Sequence, residues 1–340
     1  MSILNWLSAR KVETSGDADL RAKQAIELAF LGIDARLRLV KGSERRLRPA
    51  VESALKHCSA LAAAIPGPID LIPEAWAIDP GLRALFAQCG EIDDLLGRSL
   101  ELLSFSNQPG QAGVDPICAV ISVVRTEQTV LGLAAESGSV YREMSQCRVS
   151  FARHRLLMPS LSEAQLRHEM EWRVYEHLVV EALGSLFRWH ESEADDGRVL
   201  ALLRERLELL QRTRAGLGAL HLPPVADAIE FNSVRLQLIE NGRTLVALRR
   251  NSGSLEDQFQ RVINVLARPH EFVEFGNIED QLTGLNVVAA DEDDVAGKLH
   301  LVRIAVKGTR SFSRAASMVR VKRGLLKPRQ IDYSAAERWL

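Results

Sequence analysis

From Asp17 to Lys41 apolar residues recur every three or four positions, at Ile26, Ala29, Phe30, Ile33 and Leu37, and the spacing predicts an amphipathic helix. Ser43 is placed to cap a second helix running to about Ile65. Pro66 ends it, because a residue before proline avoids the helical region. The segment from Ala64 to Pro80 then sets four prolines among Ile65, Ile69, Leu71, Ile72, Trp76 and Ile78. A linker in water would not concentrate so many apolar side chains, so a packed corner is expected. A lid acting through Asp70, Glu74 and Trp76 is the alternative. Asp79 and Pro80 supply the cap and first residue of a helix expected to reach about Ser104.

Beyond the polar, glycine- and proline-containing stretch from Ser104 to Pro116, the hydrophobic period falls to two. The runs ICAVISVVR, TVLGLAAE and CRVSF, the last with Cys147, Val149 and Phe151 on one face, predict three short antiparallel strands. Further helices are expected at about 162–193, 198–215, 225–241 and 255–267, and strands at 299–306 and 318–322. No repeat of fixed period is present. The expected fold is α+β and predominantly helical, with a small central antiparallel β-meander and a C-terminal α/β or β-hairpin region. Composition divides the chain into a helical region 1–110, a meander followed by long helices over 111–268, and a mixed region 269–340.

The chain has 340 residues, 46% hydrophobic and 26% charged, the composition of a folded globular protein. A formal net charge of −1 excludes a molecule-wide attraction to nucleic acid or anionic lipid, so any such attraction is local. The opening MSILNWLSARKVE is too short and too soon charged for a signal peptide, and no apolar run approaches the ~20 residues of a membrane span. A cytoplasmic location without membrane partners is therefore expected. Cys58, Cys89, Cys118 and Cys147 form no CxxC pair, which argues for buried reduced thiols and against structural zinc. Arginine outnumbers lysine 35 to 8, a skew of codons that points to a GC-rich bacterial genome.

His168, Glu169, Glu171, Glu176, His177, Glu181 and His190 all fall on one expected helix. None makes the Glu-x-x-His pair of a di-iron bundle. At 100° per residue, His177 and Glu181 are expected on the solvated side with Arg173 and Arg188, as an i,i+4 pair. His168 and Glu171 face the apolar side, where an acid–base or metal role competes with a hydrogen-bonded pair at the core edge. Asp291 to Asp294 lack the alternation and glycine of a calcium loop and read as an acidic turn. Phosphate-binding loops and a hydrolase nucleophile elbow are absent. Cys147 and His154 are spaced to point apart on a strand. No metal or cofactor is expected.

Charge separates near the C-terminus. Residues 269–297 contain eight carboxylates and no lysine or arginine, while 298–331 contain ten lysines and arginines and no carboxylate. Arg303 and Lys307 alternate with Val302, Ile304 and Val306, and Arg320 and Lys322 alternate with Val319 and Val321. A hairpin would gather them into a basic strip with Arg323, and place Arg310, Phe312 and Arg314 on the connecting loop. The strip has three readings: a partner site, a surface docked on the acidic segment before it, or a solvated face. The expectation for function is a non-enzymatic binding component of a bacterial cytoplasmic multi-protein assembly, with a protein partner. One alternative is a DNA- or RNA-binding protein whose strip holds phosphates. A further alternative is an enzyme whose site is assembled from distant residues, with His168, Glu171 and the corner at Asp70 to Trp76 as candidates.

Overall fold

The computed structural model describes residues 18–108, 113, 115–136, 140–192, 197–212, 216–221, 228–247, 255–289 and 297–327. Their helices are α1 (Ala18–Gly32), α2 (Ser43–Ala64), α3 (Pro80–Leu85), α4 (Cys89–Arg98), α5 (Leu100–Ser106), α6 (Glu163–Ser192), α7 (Gly197–Arg212), α8 (Gly218–His221), α9 (Ala228–Ala247) and α10 (Leu255–Ala267). The strands are β1 (Ile69–Asp70), β2 (Ile117–Glu136), β3 (Val140–Ser160), β4 (Val273–Leu282), β5 (Gly297–Val306) and β6 (Phe312–Val321). The fold is α+β and predominantly helical. Its described residues divide into a helical unit, within Met1–Ala63, Arg167–Phe275 and Ala305–Phe312, and a sheet unit, within Ala64–Leu166, Gly276–Ile304 and Ser313–Leu340. The three-region division read from composition runs along the chain, whereas the compact units are assembled across it.

The helical unit is organised by α6, thirty residues and about 45 Å long. Val174, Tyr175, Leu178, Val179, Ala182, Leu183 and Leu186 form its buried stripe. Helix α1 comes close at Gly32, where a Cβ would stand 2.5 Å from Val179 Cγ1, and the Tyr175 hydroxyl donates to Ala25 O at 2.9 Å. Helix termini leave carbonyls without intrahelical partners, and here arginines supply the donors. Arg206 Nε donates to Gly32 O at 2.9 Å, and Arg167 Nη1 donates to Ala62 O at 2.8 Å. The turn after α1 holds a buried Asp34–Arg36 ion pair at 2.6 Å.

In the sheet unit the strand order is β3-β2-β6-β5-β4, with β1 added to β6 in parallel. Strand β6 is buried without interruption from Arg314 to Val319, the pattern of a strand covered on both faces. The outer strands are then joined by the segment after β4. Val149 N donates to Asn286 O, Val288 N donates to Cys147 O, and Val288 bridges back to Leu282. Arg125 reinforces this closure, forking onto both carboxylate oxygens of the buried Asp280 at 2.7 and 2.8 Å. One core packs Ile121, Val123, Leu156, Leu299, Leu301 and Val319 of the strands against Leu82, Phe86, Ile92 and Leu102 of the helices.

Four local expectations change. The helix expected from Asp17 to Lys41 ends at Gly32, and a 3-10 turn capped by Asp34 covers Ala35–Leu39. The helix expected from Pro80 to about Ser104 is three short helices. Asp79 caps α3 as anticipated, accepting from Gly81 N and Leu82 N. Phe86 then turns extended, because three successive carbonyls are taken by side chains. Asn286 donates to Ala84 O, His154 to Leu85 O and Trp76 Nε1 to Phe86 O, while His154 stacks on the Phe86 ring. The runs before and after Thr126–Gln128 are one strand, since Glu127 pairs with Val149 and Gln128 with Arg148. These three residues are polar but include no glycine, proline, asparagine or aspartate to adopt turn dihedrals. Strand β6 begins at Phe312, so Phe312 and Arg314 belong to a strand and not to the loop.

The proline-rich segment is a packed strap. Leu71 and Ile65 are buried, Ile69 and Trp76 pack on the core, and Ile78 is exposed. Two bulges interrupt the β2–β3 ladder, and Arg153 and Met158 adopt left-handed backbone there (φ 53° and 54°). Cys58 and Cys118 are buried and Cys147 half-buried, but Cys89 is exposed at the start of α4, so the expectation of four buried thiols fails there. The acidic turn Asp291–Asp294 lies outside the described residues.

Removing the charge of Asp280 leaves the Arg125 guanidinium half-buried without its main counterion. Asp280→Asn is therefore expected to lower unfolding stability by about 1–3 kcal/mol in urea titrations. An unchanged midpoint would show that the closure does not depend on the pair.

Candidate functional site

The eight residues of the expected basic strip do not form one uniform surface. Lys307, Arg310 and Phe312 belong to the helical unit and the other five to the sheet unit. Lys307 Nζ lies 2.7 Å from Glu274 Oε2. Arg320 forks onto Asp70 at 2.7 and 3.1 Å. Arg323 donates through its backbone to Asp115 Oδ1 at 3.0 Å and through its guanidinium to Ser106 O. Arg314 is only 3% exposed, and its pKa is lowered to about 10 by desolvation first and by Arg155 and Arg153 next. Phe312 is half-buried. Arg303, Arg310 and Lys322 are exposed and make no ion pair with a described residue.

Strand alternation correctly opposes Arg303 to the buried Val302 and Ile304. It could not reveal which cations meet carboxylates from distant segments.

The polar residues of α6 also differ from the helical-wheel expectation. His177 and Glu181 are buried, 6% and 1% exposed, and not solvated. The wheel assumes one covered face, but α6 is covered on this side as well. Gly216, with φ +61°, lies so close to the α6 backbone that a Cβ would come within 2.6 Å of His177 N. Glu181 Oε2 accepts from both the backbone N–H and the hydroxyl of Thr309 at 2.9 Å, and Glu176 accepts from Gly216 N at 3.1 Å. His177 Nε2 stands 3.8 Å from Glu181 Oε1, beyond hydrogen-bond reach, and is buried without a hydrogen bond to a described residue. Desolvation lowers the His177 pKa to about 4 and raises that of Glu181. Both groups are pushed toward neutrality, which is how a buried titratable pair lowers its desolvation cost.

His168 and Glu171 do meet at the start of α6, with Nδ1 4.0 Å from Oε2. Glu171 is salt-bridged to Arg21, and His168 Nε2 accepts from Trp172 Nε1 at 3.0 Å. An accepting Nε2 places the proton of the neutral ring on Nδ1, toward Glu171. Desolvation, followed by Arg21, lowers the His168 pKa. This is a hydrogen-bonded set at the edge of the core of the helical unit; Asp70 to Trp76 belong to the sheet unit. Among the described residues no three His, Cys, Asp or Glu side chains are placed to hold a metal ion. No helix among them is long and apolar enough to cross a membrane.

The feature that sequence reasoning missed is the length of the β2–β3 hairpin. Strand β6 accompanies β2 only from Ile117 to Val123, whereas β2 and β3 stay paired to Glu136 and Val140. Past the bridge between Arg148 and Val287, no third strand joins the ladder among the described residues. Beyond Cys147, whose carbonyl accepts from Val288 N, seven pairs, from Val130↔Gln146 to Glu136↔Val140, extend roughly 24 Å. Glu127, Gln128, Thr129, Leu131, Ser145 and Arg148 are exposed on this ribbon. The signal that could have found it is the absence of a turn former at Thr126–Gln128, which favours one long strand over the two short ones expected.

Because the folded His177 pKa of about 4 lies below its unfolded value of 6.5, its contribution to stability is present above pH 6.5 and lost as pH falls toward 4. His177→Gln keeps a polar side chain without this titration. In denaturant titrations across that window the wild type is expected to lose up to roughly 3 kcal/mol more than the variant. Parallel pH profiles would show that folding does not depress the His177 pKa. Comparison of the chain with protein-family models, curated proteins and solved structures found no match.

Proposed function

We propose that the protein is a non-enzymatic binding component of a bacterial cytoplasmic multi-protein assembly, and that it engages a protein partner through the β2–β3 ribbon. The observation behind this reading is the ribbon itself: a ladder that runs on to Glu136 and Val140 after the pairing of β2 with β6 has ended at Val123↔Ala315. A two-stranded hairpin is marginal in water by itself, and its outer edge offers unpaired backbone donors and acceptors. Elsewhere the sheet is closed by the segment from Thr283 to Ala289. A partner that adds an extended segment to the β2 edge would complete the ladder and cover Leu131, which is 78% exposed.

The nucleic-acid alternative has less support. Arg320, Lys307 and Arg323 are engaged by groups of the chain, and Arg314 is buried. Of the strip's cations, Arg303, Arg310 and Lys322 remain exposed without an ion pair to a described residue, they come from both units, and the strip's one aromatic residue, Phe312, is half-buried.

A photo-crosslinking residue at position 131 is expected to trap a protein in cells. A chain in which Asn-Gly joins Thr129 to Cys147, which face each other across the ladder, is expected to fold but to lose that partner. A partner retained by the shortened chain would remove the ribbon from the proposal. Co-purifying nucleic acid whose affinity falls steeply with salt would put the alternative first.

A further inference from the structure

A cavity of about 620 Å³ lies within the sheet unit, between the proline strap, the middle of β4 and the first half of β5. Residues two apart on a strand share a face. Asn277 and Glu279 on β4, and Lys298 and His300 on β5, therefore present four polar side chains on the exposed faces of neighbouring strands. Between them, Ile278, Leu299 and Leu301 contribute to the core. The opposite wall includes Pro66, Pro68 and Ile69, all half-buried.

The acids and bases around this cavity separate into two sets. Asp79 is engaged in capping α3, and Asp70 in its fork with Arg320. Their carboxylates perform structural tasks. Glu279, Lys298, His300 and Asn277 make no side-chain hydrogen bond or ion pair with a described residue. Glu279 and Lys298 stand on adjacent strands and line the same cavity, yet no ion pair joins them. A carboxylate and an ammonium held apart in one cavity are complementary to a ligand that carries both charges. The volume is in the range of small-molecule sites. The proline and isoleucine wall suits an apolar side chain on such a ligand.

We infer that this cavity binds a small zwitterion, an α-amino acid with an apolar side chain. Glu279 takes its ammonium group, Lys298 takes its carboxylate, and Asn277 and His300 supply further hydrogen bonds. Neither the ribbon nor its partner enters this inference.

Equilibrium dialysis of the full chain against radiolabelled L-leucine, L-valine and L-proline tests it. L-leucinamide and N-acetyl-L-leucine serve as competitors that each keep one of the two charges. Saturable binding is expected for at least one amino acid, with each singly charged analogue competing at least about tenfold more weakly. Glu279→Gln and Lys298→Met are exposed substitutions expected to preserve the thermal transition and to weaken binding about tenfold each. Gln281→Ala, an exposed substitution outside the cavity lining, is expected to bind as the wild type does. No saturable binding by any of the three amino acids would overturn the inference. So would equal competition by leucinamide or N-acetylleucine, or unchanged affinity in both cavity variants.

Discussion

The sheet depends on β6, because this strand alone touches the pieces of the chain that must come together. It pairs with β2 on one side, and with β5 and then β1 on the other. The Arg320–Asp70 fork spans 250 residues of sequence, and the β1 register at Ile69↔Val319 lies beside it. The ordering entropy of so long a loop is offset only if β6 is covered on both faces, and its buried run from Arg314 to Val319 has that character. The sheet is therefore a cooperative structure that cannot close locally. Its remaining edges are then joined by the Thr283–Ala289 segment and by Arg125 on Asp280.

Elsewhere, polar side chains complete the backbone. Arg206 and Arg167 supply donors to the ends of α1 and α2. Trp76, His154 and Asn286 do the same for the end of α3. Arg206 is almost wholly buried, with its pKa lowered to about 10 by desolvation and held up by Asp34, so it remains charged at neutral pH. Charged groups of this kind are retained where a buried carbonyl would otherwise lack a donor. Arg36, Arg173, Arg206 and Arg314 are buried inside the fold, so charge counted along the chain overstates charged surface here.

Two places among the described residues stand out from this. The ribbon continues after its pairing with β6 ends, and the cavity beneath the proline strap has four polar side chains without a partner among the described residues. Both occur at the margins of the sheet, which is where recognition can be added without disturbing the core. They differ in kind. The ribbon offers backbone edge to an extended protein segment, and the cavity offers paired charges to a small molecule.

Hydrophobic period read from the sequence located most elements. The helix expected at 162–193 is α6, that at 255–267 is α10, and the strand expected at 299–306 is the greater part of β5. These elements are legible because a single covered face imposes its period on the residues that make it. Capping chemistry at Asp79 was legible for the same local reason. What lay beyond reach was set by partners far away in sequence. The burial of His177 and Glu181 needs the backbone at Gly216 and Thr309, the end of α3 needs Asn286 and His154, and the engagement of Arg320 needs Asp70. The candidate site followed the same rule. Sequence identified the proline strap and the cations near the C-terminus, but not the open cavity or the long ribbon. The sequence by itself determined the elements and their apolar faces, since propensity, period and caps act within a few residues. Only the tertiary structure decided which charges are neutralised and which edges stay open, because those depend on contacts that no local pattern encodes.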